Sequence, residues 1–265
     1  MRETAESHPA QVVLIDAGNS NLVFGIYRGS VLAANLRLST ARERTADEMA
    51  ALLLALFTYH GLDPRHTDRV LVASVVPPIN SALERLAERY FYAPVRFVDT
   101  GIDTGMALRY AHPAEIGADR IVNAVAARAR FGAPVVVVDF GTATTFDVVD
   151  AEGCYAGGII APGIMISAEA LFAHASRLYR VDIRRPEAVI GHDTASAMQS
   201  GIYFGYVGQV DGILARLRAE LPPLRAVVAT GGLAPWIAEG SQHIDQVEPL
   251  LTLHGLKRID ERLAR

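Results

Sequence analysis

Lysine is nearly absent from this chain of 265 residues, and its scarcity excludes two common designs for phosphate transfer. The single lysine, Lys257, lies in a charged tail, "GLKRIDERLAR", with no glycine-rich loop before it. A P-loop needs a lysine directly after its glycine-rich loop, and a protein kinase needs one on its third strand. The sequence therefore fits neither a P-loop nucleotide hydrolase nor a protein kinase.

Cysteine is also scarce, since Cys154 is the only one. A single cysteine forms neither an intrachain disulfide nor a cysteine-based zinc site, and it is typical of a protein from a reducing cytoplasm. The eight histidines are scattered without the spacing of metal ligands, so structural zinc is not expected. We predict a cytoplasmic protein.

Long apolar runs and an excess of positive charge are missing as well. No apolar run reaches the roughly 18 to 20 residues that cross a bilayer. The formal net charge of −4 gives no electrostatic basis for binding nucleic acid or an anionic membrane. The polar start, "MRETAESHPAQ", lacks the apolar segment of a secretory signal, and we predict a disordered arm over residues 1–11.

The composition is that of an ordinary globular protein, with 51% hydrophobic and 20% charged residues. Alternating strand and helix patterns predict an α/β fold. Strands are expected at 12–17, 22–28, 31–38, 70–75, 95–98, 135–139, 145–150, 156–161 and 225–230. Helices are expected at 49–60, 79–91, 119–131 and 164–176, and from Thr194 or Ala195 to about Glu220. Thr45 and Glu48 have the spacing of a capping box ahead of the first helix.

The two halves of the chain repeat one order of elements. Each begins with a strand, an Asp-x-Gly turn and two further strands, and continues with helices and another strand. This weak repeat indicates a duplication, which predicts two related lobes with a cleft between them. We place the lobes at residues 12–118 and 119–265.

The two Asp-x-Gly units, "DAGNSN" and "DFGTATT", are the first candidate binding elements. In each unit an aspartate, Asp16 or Asp139, ends an apolar strand, and the glycine that follows allows a turn whose N–H groups face an anion. Side-chain donors for phosphate oxygens follow the glycines, namely Asn19, Ser20, Asn21, Thr142, Thr144 and Thr145. Either unit alone is also compatible with an ordinary hairpin turn, but the pair favours phosphate binding.

A third element, "VVATGGLAPW", ends another buried strand at Thr230, Gly231 and Gly232. Glycines at this place allow a flat adenine or a ribose to approach the backbone. The alternative interpretation is a simple turn between a strand and a helix.

Asp119 and Arg120, in "EIGADRIVNA", are candidates for the chemistry. Asp119 is expected in the first turn of a helix, where the dipole favours its ionised form and a low pKa. It could position a hydroxyl in line with a phosphate and accept its proton late. It could also be an ordinary helix-start residue. Arg120 could be a surface residue, or its guanidinium could bind a carboxylate with two hydrogen bonds.

Six motifs in order give the chain a specific family resemblance: "DAGNSN", "GADRIVNA", "DFGTATT", "GGIIAPG", "TASAMQSGIYFGYVGQVDGI" and "ATGGLA". Over about residues 12–260 the chain resembles type III pantothenate kinases, which belong to the actin-like ATPase and sugar-kinase superfamily. The resemblance implies two actin-like (ribonuclease H-like) lobes and a homodimer whose active site draws on both subunits. It also implies ATP-dependent phosphorylation of pantothenate at its terminal hydroxyl, the first step towards coenzyme A.

The resemblance also implies roles for particular residues. The catalytic aspartate falls on Asp119, and Asp139 falls where the family binds K⁺ or NH₄⁺. Substrate contacts fall on Tyr110, Gly117, Ala118, Asp119, Arg120 and Thr194. Contacts with ATP, which is used with Mg²⁺, fall on Asp16, Ala17, Gly18, Asn19, Ser20, Asn21, Leu22, Val23 and Thr142. From the residues alone, Tyr110 could be a half-buried strand aromatic, and Thr194 could be the N-cap of the long helix.

Two alternative functions remain open on the sequence. One is a non-catalytic regulatory relative of the same fold, although Asp16, Asp119 and Asp139 are all present. The other is a different actin-like-fold kinase or phosphatase, acting for example on a sugar. Gly201, Gly205 and Gly208 lie along roughly one face of the long helix, where they could allow a second subunit to approach closely or could serve packing within the chain.

Overall fold

The computed structural model describes residues 10–265, and within them the chain forms ten strands and seven α-helices. The strands are β1 Gln11–Ala17, β2 Asn21–Arg28, β3 Val31–Ser39, β4 Thr67–Ser74, β5 Val95–Phe97, β6 Val135–Phe140, β7 Ala143–Val149, β8 Tyr155–Pro162, β9 Ala226–Thr230 and β10 Gln246–Val247. The helices are α1 Ala46–Tyr59, α2 Pro77–Leu86, α3 Ala118–Phe131, α4 Ile164–His174, α5 Thr194–Glu220, α6 Ala234–Ala238 and α7 Leu251–Leu263. Among the described residues, no helix has the length and apolar character to cross a membrane.

The strands form two five-stranded sheets with the same topology. The sheet orders are β3-β2-β1-β4-β5 and β8-β7-β6-β9-β10. In each sheet the three strands that come first in sequence, β1–β3 or β6–β8, pair antiparallel as a meander. The other two strands, β4 and β5 or β9 and β10, add in parallel on the other side of the first strand. This equivalence confirms the α/β prediction and the internal repeat.

The chain divides into two compact units that are not contiguous in sequence. Unit 1 comprises the described residues up to Thr104, together with residues 114–122 and 252–265. Unit 2 comprises residues 105–113 and 123–251. The expected lobes, 12–118 and 119–265, differ from these units at the segment 105–113, at the start of α3 and at the C-terminal helix. Of the arm expected at residues 1–11, residues 1–9 lie outside the described part, and Gln11 already belongs to β1.

The C-terminal residues form helix α7 and not merely a charged tail. Its apolar side, which includes Leu253, is buried against unit 1. The Leu253 side chain packs against Gly25 of β2, where an added Cβ would lie 3.0 Å from it. Asp260 on the same helix is buried and accepts a hydrogen bond from Arg69 Nη2 of β4 at 2.8 Å. These tertiary contacts explain why α7 joins the first unit although it ends the chain.

Each sheet packs helices against its central strands. β1 and β6 are buried almost throughout, as expected for central strands covered on both faces. In unit 1 the core packs β1 against α1 and α2, and in unit 2 it packs β6 against α4 and α5. The predicted capping box at Thr45 and Glu48 is confirmed, with both reciprocal hydrogen bonds formed.

Candidate active site

The first Asp-x-Gly turn joins β1 to β2 in unit 1. Asp16 pairs with Val23 near the end of the β1–β2 ladder, and the Gly18 N–H donates to Asn21 O at 3.0 Å to close the turn. Asn19, at the tip of the turn, is exposed. The turn therefore presents polar groups to solvent at the carboxyl end of a buried strand, as the phosphate interpretation requires.

Thr40 supports this turn from the end of β3, a role that the sequence analysis missed. Its hydroxyl donates to Gly18 O at 2.6 Å, and its N–H donates to Ser20 O at 3.0 Å. Only the pairing of β2 with β3 brings Thr40 here, so no local pattern could have indicated it.

The predicted ATP contacts in this turn differ in how they can act. Ala17 and Leu22 pair across the ladder with fully buried side chains, and Val23 is half-buried. These three residues shape the base of the turn. The exposed tip, Asn19 and Ser20, is the part that a ligand can reach.

Asp119 lies in the first turn of α3, directly after Gly117 and Ala118. Its Oδ1 accepts a hydrogen bond from the Arg120 N–H at 2.8 Å. A Cβ on residue 117 would lie only 2.5 Å from the same oxygen, so the carboxylate rests against the bare glycine. The glycine of "GADR" is thus required by the position of the carboxylate.

Burial raises the pKa of Asp119 above its ordinary value. The backbone hydrogen bond from Arg120 and the charge of Arg120 act in the opposite direction, but the loss of solvation outweighs them. The low pKa predicted from the helix start is therefore wrong. The prediction considered only the local dipole, whereas the half-buried position depends on tertiary packing.

Arg120 is buried, with 8% of its surface exposed. This excludes the alternative of a surface residue. An arginine held in a region of low solvation is a strong partner for a carboxylate, because its charge is less screened than in water.

Unit 1 brings the Asp119 turn to the same sheet edge as the first Asp-x-Gly turn. The Val75 N–H, just beyond β4, donates to Ala17 O at 3.1 Å. A Cβ on Gly117 would lie 3.4 Å from Val75 Cγ1. Because β1 and β4 are parallel, these contacts place Gly117 at the carboxyl end of both strands. The carboxyl edge of such strands is where α/β proteins bind ligands.

The second Asp-x-Gly turn joins β6 to β7 in unit 2. Asp139 Oδ2 accepts a hydrogen bond from Asn123 Nδ2 of α3 at 3.0 Å, and Asn123 is fully buried. Asn123 belongs to the motif "GADRIVNA", but no role for it was predicted from the sequence. It orients the carboxylate that the family resemblance assigns to a monovalent cation.

The Thr230–Gly231–Gly232 turn lies against Asp139, as the pairing of β6 with β9 requires. Gly231 has a φ of +91°, and a Cβ there would lie 2.7 Å from Asp139 Oδ1 and 2.6 Å from Phe140 O. Only glycine fits this position. Two oxygen atoms, Asp139 Oδ1 and Phe140 O, therefore lie beside the turn.

The side chains of the second turn offer fewer donors than predicted. Thr142 is exposed, and its carbonyl accepts a hydrogen bond from the Gly163 N–H at 3.1 Å. Thr144, in contrast, is buried within the sheet at 1% exposure, and its hydroxyl has no hydrogen-bond partner among the described residues. Thr145 donates to Asp147. The expectation that Thr144 binds phosphate is therefore wrong, because β7 buries its side chain, and the Thr145 hydroxyl is already hydrogen-bonded to Asp147.

Tyr110 belongs to the segment 105–113 of unit 2 and is 37% exposed. The segment contacts β8 through an isolated bridge between Leu108 and Tyr155. Tyr110 is thus not a regular strand residue, and part of its ring is accessible to a ligand.

Thr194 is the first residue of α5 and is exposed, but it is not the N-cap. Asp193 caps the helix by accepting a hydrogen bond from the Ser196 N–H at 2.9 Å. The cap alternative for Thr194 is therefore wrong. Thr194 instead lines an open groove of about 710 Å³ between α4 and α5, which Gly201 and Gly205 also line.

Comparison with known proteins places these features in a family. The model of the type III pantothenate kinase family matches residues 12–216. The type III pantothenate kinase of Myxococcus xanthus (strain DK1622) is 52% identical over 248 residues, which are 94% of this chain and 97% of that protein. That of Geobacillus kaustophilus (strain HTA426) is 49% identical over 253 residues, or 95% and 97% of the two chains.

The chain also resembles solved structures in its fold. The crystal structure of MreB 5 of Spiroplasma citri, bound to AMPPNP, is 10% identical with a TM-score of 0.55, over 96% of this chain and 97% of that one. This similarity shows the actin-like fold. On the match to the family model and to relatives about half identical over nearly the full length, the chain belongs to the type III pantothenate kinase family.

Proposed function

We propose that the protein transfers the γ-phosphoryl group of ATP to the terminal hydroxyl of pantothenate, the first step towards coenzyme A. The observation that carries this proposal is the 52% and 49% identity to type III pantothenate kinases over almost the whole chain. The carboxylate Asp119, held against Gly117, supplies the catalytic group that such a reaction needs.

ATP binds through the turn of residues 16–23 and through Thr142. The exposed tip of the first turn and the exposed Thr142 support this assignment. The glycine turn beside Asp139 supplies backbone that an adenosine can approach. Mg²⁺ bound to the nucleotide neutralises charge on the phosphates.

Asp119 is the general base. The raised pKa of its carboxyl group makes it a stronger base than an ordinary aspartate, provided that the medium keeps it ionised. It accepts a hydrogen bond from the terminal hydroxyl of pantothenate, directs the oxygen in line at the γ-phosphorus and takes the proton late. The loose transition state of phosphoryl transfer requires chiefly this positioning.

Pantothenate is held by Arg120, by the turn Gly117–Ala118 and by Tyr110 and Thr194. The buried guanidinium of Arg120 is suited to the substrate's carboxylate, because both groups are charged and the site is poorly solvated. The exposed part of the Tyr110 ring and the exposed Thr194 hydroxyl are able to contact the rest of the molecule.

Asp139 holds a monovalent cation, K⁺ or NH₄⁺. Its carboxylate, oriented by Asn123 and lying beside the Phe140 carbonyl, has the oxygen ligands that such an ion prefers. A cation held by Asp139 would supply positive charge that offsets the charge of the phosphates.

The active form is a homodimer in which a second copy covers the groove between α4 and α5. Among the described residues, no atom other than the helix backbone lies within 4 Å of a Cβ added at Gly201, Gly205 or Gly208. Packing within the described chain therefore does not require these glycines, whereas close approach of a second helix would.

The variant Gly205→Leu tests the dimer. The leucine enters open space in the single chain, so we expect it to fold, yet it blocks a partner helix. Light scattering after gel filtration should show a dimer for the wild type and a monomer with reduced turnover for the variant. Gly212→Ala, on the same helix in ordinary contact with Arg216, is the control and should remain dimeric. A monomeric wild type, or a fully active dimeric variant, would overturn the proposal.

The cytoplasm is the proposed location. The only cysteine, Cys154, is free, as is common in a reducing compartment. Fractionation of cells of the source organism with an antibody to the protein would test this.

The proposed activity is tested by ADP release coupled to NADH oxidation. We expect release that depends on pantothenate, with a panel of sugars giving only the background rate. Turnover of a sugar without turnover of pantothenate would refute the proposal and favour another kinase of the same fold. No turnover of any acceptor by the folded protein would favour a regulatory relative.

A further inference from the structure

A buried pair of side chains, Asp147 and Tyr155, lies outside the groups assigned above. Both residues are fully buried in unit 2, on the neighbouring strands β7 and β8. The Tyr155 hydroxyl donates to Asp147 Oδ1 at 2.8 Å, and the Thr145 hydroxyl donates to Oδ2 at 3.2 Å. Because burying a carboxyl group is costly, a buried pair of this kind indicates that the hydrogen bond between the two side chains has a role.

The backbone of Tyr155 holds the segment 105–113, which we call the strap. The Tyr155 N–H donates to Ala107 O at 2.9 Å, and the Arg109 N–H donates to Tyr155 O at 2.8 Å. The strap lies in sequence between two stretches of unit 1 but belongs to unit 2. Tyr155 is therefore the residue through which β8 pairs with the strap.

The ring of Tyr155 contacts the ring of Tyr110 on the same strap. The two ring centroids are 6.2 Å apart, with an edge-to-face angle of 63°. Tyr110 also lies over Gly157 of β8, where an added Cβ would be 3.8 Å from its ring. Tyr155 thus contacts the strap with its backbone and Tyr110 with its ring, while its hydroxyl is fixed on Asp147.

Arg128 holds the start of the strap from α3. Its Nη2 donates to Gly105 O and its Nη1 to Gly153 O, each at 2.8 Å. Arg109 forms a further ion pair with Asp150 at 2.7 Å. With Gly105 and Arg109 held, the orientation of Tyr110 depends on the ring beneath it.

We propose that Tyr155, anchored on the buried carboxylate of Asp147, is a positioning residue that orients Tyr110 towards pantothenate. The proposal rests on the proposed function, because it takes Tyr110 as a substrate contact. The 2.8 Å hydrogen bond from the Tyr155 hydroxyl to Asp147 restrains the Tyr155 ring, because both groups are buried and have no water to replace that bond. A substrate contact is effective only when the groups that support it hold its rotamer.

The test begins with Tyr155→Phe, which removes the hydroxyl and keeps the ring. We expect the KM for pantothenate to rise about tenfold, with kcat and the KM for ATP within about twofold of wild type, because only the positioning of one substrate is lost. Hydrogen exchange at the strap amides, including Arg109, should become faster. Tyr203→Phe is the matched control, since Tyr203 is fully buried in the same unit and its hydroxyl has no hydrogen-bond partner among the described residues.

A double-mutant cycle then separates positioning from general structure. In a Tyr110→Ala background, Tyr155→Phe should leave the pantothenate KM unchanged, because the residue through which it acts is gone. An additive effect of the two substitutions would overturn the proposal, and so would unaltered exchange of the strap in Tyr155→Phe. Faster exchange with an unaltered pantothenate KM would also overturn it.

The outcomes distinguish this proposal from the proposed function. If the wild type does not turn over pantothenate, the proposed function fails, and the orienting role towards pantothenate fails with it. Turnover by the wild type with no specific change in Tyr155→Phe would reject the positioning role alone.

Discussion

The contact between Gly117 and Asp119 gives the sharpest test of the assigned base. In Gly117→Ala the new Cβ would lie 2.5 Å from Asp119 Oδ1, whereas ordinary contact begins at 3.4 Å. The oxygen must therefore move by 3.4 minus 2.5, or about 0.9 Å. A displacement of about 1 Å at a reacting group can cost on the order of 100-fold in rate.

We expect Gly117→Ala to lower kcat by about 10- to 100-fold, since the side chain can partly adjust. The free energy of unfolding should fall by no more than about 1–3 kcal/mol, the usual cost of added bulk. ATP affinity should hold, because the first Asp-x-Gly turn does not contact the new methyl group directly. Gly212→Ala, with its Cβ 3.5 Å from Arg216, is the control.

The assay is initial-rate ADP release at saturating ATP and pantothenate, with thermal unfolding of the same samples. A folded Gly117→Ala enzyme with a kcat close to that of wild type would refute the reasoning. It would mean either that Asp119 is not the base or that its carboxylate does not act from the position seen here.

Four further predictions concern single groups. Asp119→Asn should lose most turnover and keep ATP binding. It should unfold no more easily than wild type, because it removes a carboxylate that is costly to ionise. A near-normal kcat would show that the base is misassigned. Because the pKa of Asp119 is raised, wild-type kcat should fall as the pH drops through a value above the ordinary 3.8, and a profile flat down to pH about 4 would contradict this. Turnover should rise when K⁺ or NH₄⁺ replaces Na⁺, and Asp139→Asn should remove the difference; indifference of the wild type to the ion would count against Asp139. Gly231→Ala should lower the free energy of unfolding by at least about 2 kcal/mol in urea titrations, because the left-handed backbone and the clash with Phe140 O act together; an unchanged midpoint would contradict the geometry.

Some corrections to the sequence-based predictions share one cause. Thr144 follows the second glycine just as a phosphate donor would, yet the pleat of β7 buries it. Thr194 precedes a helical pattern as an N-cap would, yet Asp193 makes the hydrogen bond. In both cases the residue type was suitable, and the outcome depended on how the strand is paired or where the helix begins, which composition does not specify.

Local pattern was sufficient for much of the fold. The capping box at Thr45, the start of α5 at Thr194 and the hairpins after Asp16 and Asp139 involve residues only a few positions apart. Such features arise from steric preferences and hydrogen bonds within a few residues, so the sequence by itself determines them. The ordered motifs are likewise sufficient to indicate the family.

Tertiary structure decided what depends on residues distant in sequence. It placed α7 in the first unit through Leu253 and Asp260, and it brought Thr40 to the first turn. It also reversed the expected pKa shift of Asp119, because solvation depends on everything packed around a group, whereas a helix dipole belongs to one helix. Burial and long-range pairing are properties of the folded chain as a whole, and for that reason no local stretch of sequence could specify them.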